Sequence, residues 1–330
     1  MTTSKVLIQS KEKKNDEFYT LYQDIADEVS CYKEQLRGKR ILCPCDWDES
    51  YNEELVYKEE GVAAMDLFSY GTVKHINLPA SKERIEKDFN AIKCNFVKFL
   101  VAHAEAYGIL SVSVSGYDPA TSRGVRFQDI DYSQYDIIIT NPPFSQYREF
   151  IDTMMRHKKL FLAIGPQNAI TYKECFDYIM NNRMWMGYHQ HLTGFVLPDG
   201  TVLQKNDSLP RCCCWFTNLD VSYRHDRLIL TESYTPETYP TYHNYDAIEV
   251  TATKKIPFDY EGKMGVPITF LQKYNPDQFE ILGESNYLAL PFNVGGKRVS
   301  GRFYLESAGT YKRMYSRIVI RNKQVIKQEE

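Results

Sequence analysis

From residue 40 onward, short β-branched apolar runs alternate with longer stretches of helical period, and that alternation predicts a parallel sheet. Arg40 to Cys45 reads as a first strand, Asn95 to Tyr107 as an amphipathic helix, and Leu110 to Ser115 as a second strand closed by Gly116. Val125 to Gln128 is a weak third strand. Tyr135 to Thr140 (YDIIIT) is the clearest strand of all, and a helix over Tyr147 to His157 and a strand over Leu160 to Ile164 follow it. Ile170 to Asn181 reads as helical. Met184 to Tyr188, Gly194 to Leu197 and Cys212 to Phe216 read as late strands that include an antiparallel hairpin. The interval from Asp48 to Lys93 is too long for an ordinary strand-to-helix loop and reads as an insertion. Past about Val221, frequent Tyr, Pro and Thr in short, poorly periodic segments predict a second, smaller domain of mixed or mostly β character. The expected division is 1–220 and 221–330.

Composition sets outer bounds. At 330 residues, with 43% apolar side chains, the chain can bury a sizeable core. No run of about eighteen apolar residues occurs and the N-terminus lacks an apolar leader, so a soluble, non-secreted, cytoplasmic protein is expected. The eight cysteines form neither a CxxC pair nor a disulfide framework, and read as reduced thiols. Cys212, Cys213 and Cys214 lie in a strand-like stretch where successive side chains point to opposite faces, so no metal site is expected there.

One tetrapeptide carries chemistry: Asn141-Pro142-Pro143-Phe144, directly after the clearest strand. By residue abundance it arises by chance on the order of once in several hundred chains of this length. It falls beyond a strand's carboxyl end, where open parallel sheets bind their ligands. A strand terminator would explain one proline, but not the set. An amine conjugated to an aromatic ring is a poor nucleophile because its lone pair is delocalised. The Asn141 side-chain carbonyl and a main-chain carbonyl near Pro142 can each accept one amine hydrogen, holding the nitrogen tetrahedral with its lone pair aimed at a methyl donor. Phe144 can stack on the ring.

On these residues the chain resembles the amino-methyltransferases that use S-adenosylmethionine, and more narrowly the EcoRI-type adenine-specific DNA methyltransferases. Asp16-Glu17-Phe18-Tyr19-Thr20 and Lys39 to Asp46 look like that family's opening. The stretches Asn168 to Glu174, Trp215 to Leu219, Gly265 to Leu271 and Tyr274-Asn275-Pro276 add to the likeness in order. The resemblance implies a doubly wound, mostly parallel α/β fold of the Rossmann-like methyltransferase type, with a C-terminal target-recognition domain. It implies that Phe18, Tyr19 and Thr20 close over the methionine end of the cofactor, and that Cys43 to Asp46 form the loop beneath it. Cys43, Cys45 and Asp46 thus become candidate cofactor contacts, although the usual glycines of that loop are missing. Asp118 is the candidate for the ribose hydroxyls, Asp129 for the adenine amine, and Phe195 for an aromatic supporting the flipped base.

Duplex DNA is the partner this reading requires, since the target amine is paired and stacked until its nucleotide is rotated out. The chain's net charge is −3, but from Lys297 to Lys327 nine cations (Lys297, Arg298, Arg302, Lys312, Arg313, Arg317, Arg321, Lys323, Lys327) face the single acid Glu306. Such a segment fits phosphate contact. A monomer suffices for one base on one strand, and a cognate restriction endonuclease is a possible partner. The competing readings are a methyltransferase acting on a glutamine side chain or an RNA base, and a DNA-binding module with a degenerate cofactor pocket.

Overall fold

The computed structural model describes residues 19–47, 50–51, 54–57, 73–118, 123–197, 201–204 and 212–326. Its contacts divide the chain into two compact units, residues 1–169 with 186–220, and residues 170–185 with 221–330.

The first unit is built on a mixed eight-stranded sheet, whose strands in chain order are β1 (Arg40–Cys43), β2 (Val56–Tyr57), β3 (Lys74–Ile76), β4 (Ser111–Val114), β5 (Ile137–Thr140), β6 (Leu160–Pro166), β7 (Trp185–Met186) and β8 (Cys213–Thr217). Their spatial order is β7-β8-β6-β5-β1-β4-β3-β2. The four central strands, β4-β1-β5-β6, are parallel. β8 runs antiparallel to β6, and β3 antiparallel to β4. All four residues of β5 are buried, which suits its Ile-Ile-Ile-Thr sequence to a sheet covered on both faces. The order of the parallel strands reverses between β1 and β5, and the carboxyl ends of two such strands are where open α/β sheets bind ligands.

Helix α1 (Tyr22–Ser30) precedes β1, α2 (Leu78–Lys87) follows β3, α3 (Asn95–Tyr107) leads into β4, and α4 (Tyr147–Arg156) joins β5 to β6. α3 stops where Gly108 adopts a left-handed φ of 64° and its N–H returns to the Ala104 and Glu105 carbonyls. α4 buries Tyr147, Phe150, Ile151, Met154 and Met155, a single stripe at helical spacing.

Within the interval read as an insertion, Val56–Tyr57 and Lys74–Ile76 extend the central sheet as antiparallel strands. Two expectations are corrected. Val125 to Gln128 is not a strand: Phe127–Asp129 forms a tight turn whose Phe127 ring is buried edge-on against Phe150 of α4 at 5.7 Å. The helical stretch after Ile170 is a short turn (Gln167–Thr171) followed by a helix over Lys173–Met180, and that helix belongs to the second unit. Its buried residues Cys175, Phe176 and Ile179 give it an apolar face, and it packs on the strand Phe279–Glu284. Gly194–Val196 is a strand, but its antiparallel partners are Val202–Gln204 and Tyr19–Thr20, which the sequence pattern does not mark as strands.

The second unit holds a four-stranded sheet ordered Ile248–Glu249, Met264–Pro267, Arg317–Asn322, Phe279–Glu284, with two separate two-stranded hairpins at 292–299 and 304–313. Ile318, Val319 and Ile320 form the buried heart of that sheet. No described helix is long and apolar enough to cross a membrane.

Candidate active site

The residues that end β1 and β5 meet. Thr140, the last residue of β5, donates its hydroxyl to a carboxylate oxygen of Asp46 at 2.5 Å, and the Cys94 thiol lies 3.7 Å from the other carboxylate oxygen. Asp46 is 9% exposed and Thr140 fully buried, so this contact lies inside the fold and is not a surface accident. Asn141 follows Thr140 directly, which joins the β1 loop to the Asn-Pro-Pro-Phe segment through one side chain.

Around Asp46 the backbone is tied to the neighbouring strand. The Asp46 and Trp47 N–H groups both donate to the Ser115 carbonyl at 3.0 Å, and Ser115 N–H returns to Cys43 at 3.0 Å. A side chain at Gly116 would put its Cβ 2.7 Å from that of Trp47, so only glycine lets the two loops approach this closely. The glycine that sequence reasoning expects after β1 is therefore supplied after β4. Cys43 is buried, and burial first, with the Asp46 carboxylate second, pushes its thiol well above the ordinary range. Cys45 is pushed up by the same two causes. Both thiols are neutral beside Asp46, which suits lining better than nucleophilic chemistry.

Asn141, Pro143 and Phe144 are half-buried and Pro142 is buried. Pro143 accepts from Gln146 N–H at 3.0 Å, closing the turn that launches α4. Gly165 on β6 makes room beneath it, since a Cβ there would lie 2.3 Å from the Tyr147 ring. The turn carrying Asp129 also reaches this region: Gln128 donates to Glu149 of α4 at 3.0 Å and lies 3.4 Å from Gln146, while Asp129 itself is exposed.

Tyr19 and Thr20 form a short strand opposite Val196 and Phe195, and the Thr20 carbonyl accepts from Asn95 at the start of α3 at 2.8 Å. The Thr20 hydroxyl is buried and has no hydrogen-bond partner among the described residues. Phe18 lies outside the described residues, and of Asp118 only the backbone is described, paired with Arg123. Phe195, the candidate for aromatic support of a flipped base, is fully buried in the short sheet it shares with Tyr19–Thr20 and Val202–Gln204.

Two carboxylates one turn apart on α1 hold the hairpin that carries Phe195, a pair that sequence reading missed. Asp24 accepts from Thr193 N–H (2.9 Å), Thr193 hydroxyl (2.7 Å) and Gly194 N–H (3.3 Å). Glu28, fully buried, accepts from Tyr32 hydroxyl, Tyr188 N–H, His189 N–H and His189 Nδ1 at 2.7–2.9 Å. The hydrogen bond to Glu28 raises the His189 pKa above 6.5, with burial opposing and the Asp27 and Asp24 charges assisting. A group with a raised native pKa stabilises fully below its unfolded pKa and loses that contribution as pH rises through the native value. Thermal melts should therefore show the advantage of the wild type over His189→Gln shrinking as pH is raised from about 6 to about 9. An advantage independent of pH would show that His189 acts only through its neutral hydrogen bond.

A family description of EcoRI-type adenine-specific methyltransferases matches residues 6–323. The chain belongs to the EcoRI family of adenine-specific methyltransferases. It is an enzyme of the DNA-methyltransferase class, as the order of smaller likenesses in the sequence implies. The type II methyltransferase M.EcoRI of Escherichia coli is 35% identical over 85% of this chain and 89% of its own length. The type II methyltransferase M.MpnI of Mycoplasma pneumoniae is 29% identical over 96% of this chain and 98% of its own. A third relative, the type II methyltransferase M.MgeORF184P of Mycoplasma genitalium, is likewise 29% identical. No solved structure matches the chain. In this EcoRI-family enzyme the order β4-β1-β5-β6 places Asn-Pro-Pro-Phe, which follows β5 directly, at the reversal point of the sheet.

The basic segment sorts by partner. Arg317 is corrected: it is 8% exposed and forks onto the buried Glu249 carboxylate at 2.7–3.2 Å, so it serves the core and does not meet phosphate. Arg321 pairs with Glu280 at 3.3 Å, Lys323 donates to the Pro276 carbonyl, and Arg302 donates to the Gly301 carbonyl. Lys297, Arg298, Lys312 and Arg313 are exposed on the two hairpins. Lys327 lies outside the described residues.

Proposed function

We propose that this chain transfers a methyl group from S-adenosylmethionine to the exocyclic N6 of an adenine rotated out of duplex DNA at a specific site, as the modification arm of a restriction or phage system. The observation that carries the reading is the junction at the reversal point, where the Asp46 carboxylate and Asn141 are fixed to each other through Thr140.

The residues present fit the cofactor. Asp46 offers a held, buried carboxylate for the methionine ammonium, and the Thr20 hydroxyl is a buried polar atom that the same end of the molecule would satisfy. Tyr19, Cys43 and Cys45 would line that end, and Asp129 would accept from the adenine amine. When bound, S-adenosylmethionine supplies an electrophilic methyl group on a sulfonium. Asn141 and the main chain at Pro142 accept the two hydrogens of the target amine and turn its lone pair toward that methyl. The nitrogen–carbon bond forms as the sulfur–carbon bond breaks, and the nitrogen, acidic only once alkylated, then releases its proton to water. Phe144 stacks on the base face, and rigid prolines keep the acceptors in place.

The test is to express the chain in a host and sequence the host DNA by a method that detects modified bases. N6-methyladenine at one recurring motif supports the reading; methyl groups counted on protein or RNA instead would overturn it. Phe144→Trp should retain most of the single-turnover rate while Phe144→Ala loses about fivefold, as expected for a stacking contact of about 1 kcal/mol. Equal losses in the two variants would remove Phe144 from the stacking role.

A further inference from the structure

The two hairpins of the second unit are joined into one object. The first pairs Phe292–Val294 with Lys297–Val299, and the second pairs Tyr304–Ser307 with Thr310–Arg313. Both turn through two residues at positive φ, Gly295 and Gly296 (55° and 77°) and Ala308 and Gly309 (49° and 74°), the geometry whose twist matches the strands it connects. At Gly295, Gly296 and Gly309 an added Cβ would meet nothing within 4 Å, so the tips stand clear of the rest of the unit.

A dipeptide between them does the joining. Asn244, 5% exposed, donates to the Leu290 and Arg302 carbonyls and accepts from Tyr304 N–H, so it holds the entrances of both hairpins. His243 lies beside the Phe292 ring of the first hairpin at 4.7 Å and the Tyr311 ring of the second at 4.8 Å, and its Nδ1 meets Glu306 at 2.7 Å. Phe292 also contacts Tyr304 and Tyr311 at 5.1 and 5.2 Å. Aromatic contacts and a buried amide thus fix the relative position of the two ribbons.

On the first ribbon, Asn293 and Arg298 are directly opposed across the strands. In an antiparallel pair such residues share one face with Cβ atoms about 5 Å apart. Both are exposed, whereas Phe292, Val294 and Val299 are half-buried. Neither the Asn293 amide nor the Arg298 guanidinium makes a hydrogen bond among the described residues. Arginine and asparagine are the two side chains that read purines through paired hydrogen bonds, guanine at O6 and N7 and adenine at N6 and N7, and a two-stranded ribbon is narrow enough for the major groove.

We infer that the 292–299 hairpin is the base-reading element of this enzyme, with Asn293 and Arg298 contacting purine edges in the major groove while Lys297, Lys312 and Arg313 hold the flanking phosphates. The inference rests on duplex DNA being the substrate, as proposed above. Charge complementarity commits the surface to that partner, since four exposed cations stand on the two hairpins against the single acid Glu306, itself paired to His243.

The test reads the methylated motif in host DNA for the wild type and for Asn293→Ala, Arg298→Ala and Lys312→Ala, alongside salt titrations of DNA binding. Each of the first two should relax one position of the motif, reducing discrimination there by about 5- to 150-fold. Lys312→Ala should keep the motif, weaken binding to all sequences alike and lower the slope of log affinity against log salt by about 1. An unchanged motif in both Asn293→Ala and Arg298→Ala, or a uniform loss of affinity in both, would overturn the assignment and leave the ribbon a phosphate contact. DNA left unmodified by the wild type would instead strike the proposed function, and the two failures are thereby distinguished.

Discussion

Asn141→Ala should reduce the single-turnover methylation rate by about 10²–10³-fold or more, the range seen when one preorganised polar partner of a transition state is removed. The affinity for DNA should stay within twofold, because the hairpin cations that would hold phosphate belong to the other unit. Thr140, which fixes Asp46, is untouched by the substitution, so binding of S-adenosylmethionine measured by calorimetry should also persist. Asn141→Asp supplies the same acceptor oxygen with a charge added, and should fall between the two. A near-normal rate for Asn141→Ala would remove Asn141 from the amine and return the tetrapeptide to a structural turn.

Glu249→Ala should be the most destabilising single change in the second unit. Glu249 is 2% exposed and is gripped by three contacts from Arg317, and it also accepts from the Tyr242 hydroxyl. Gly265 is what lets Tyr242 reach it, because a Cβ there would clash with that ring. Removing the carboxylate leaves a guanidinium buried without its counter-charge, a loss of about 3–5 kcal/mol. Replacing both partners together, as Glu249→Met with Arg317→Met, should recover much of it, since apolar side chains of similar size need no desolvated partner. Urea unfolding followed by circular dichroism would show the difference. If Glu249→Ala and the double change unfold at the same concentration, the pair contributes shape and no electrostatics.

The parallel core was legible because burial on both faces demands unbroken β-branched runs, and Ile137 to Thr140 has little else to be. The Asn-Pro-Pro-Phe tetrapeptide stood out as a candidate because two successive prolines after such a strand have few bland uses. What escaped were duties set by distant partners. Thr140 reads as an ordinary strand residue until Asp46, ninety-four positions away, is brought to its hydroxyl. Gly116 stands in for glycines absent from the preceding loop, a substitution across strands that no local pattern records. Counting cations could not tell Arg317 from Arg298, since the difference is a carboxylate sixty-eight residues earlier in the chain. The two strands at 56–57 and 74–76 are too short to show a period of their own; 74–76 exists through its ladder to β4 and 56–57 through its ladder to 74–76.

The helix Lys173–Met180 sits with the second unit although both chain segments that flank it return to the first, so the polypeptide passes between the units three times. The second unit is therefore not a detachable cassette. A chain cut after residue 220 would carry the helix without the strand it rests on, baring Phe176 and Ile179 to water, and a fragment from 221 onward would lack the cover for that strand. On the reading proposed above, a transplant of the whole second unit, by recombination or by engineering, has to move two stretches at once, whereas a transplant of the two hairpins moves one.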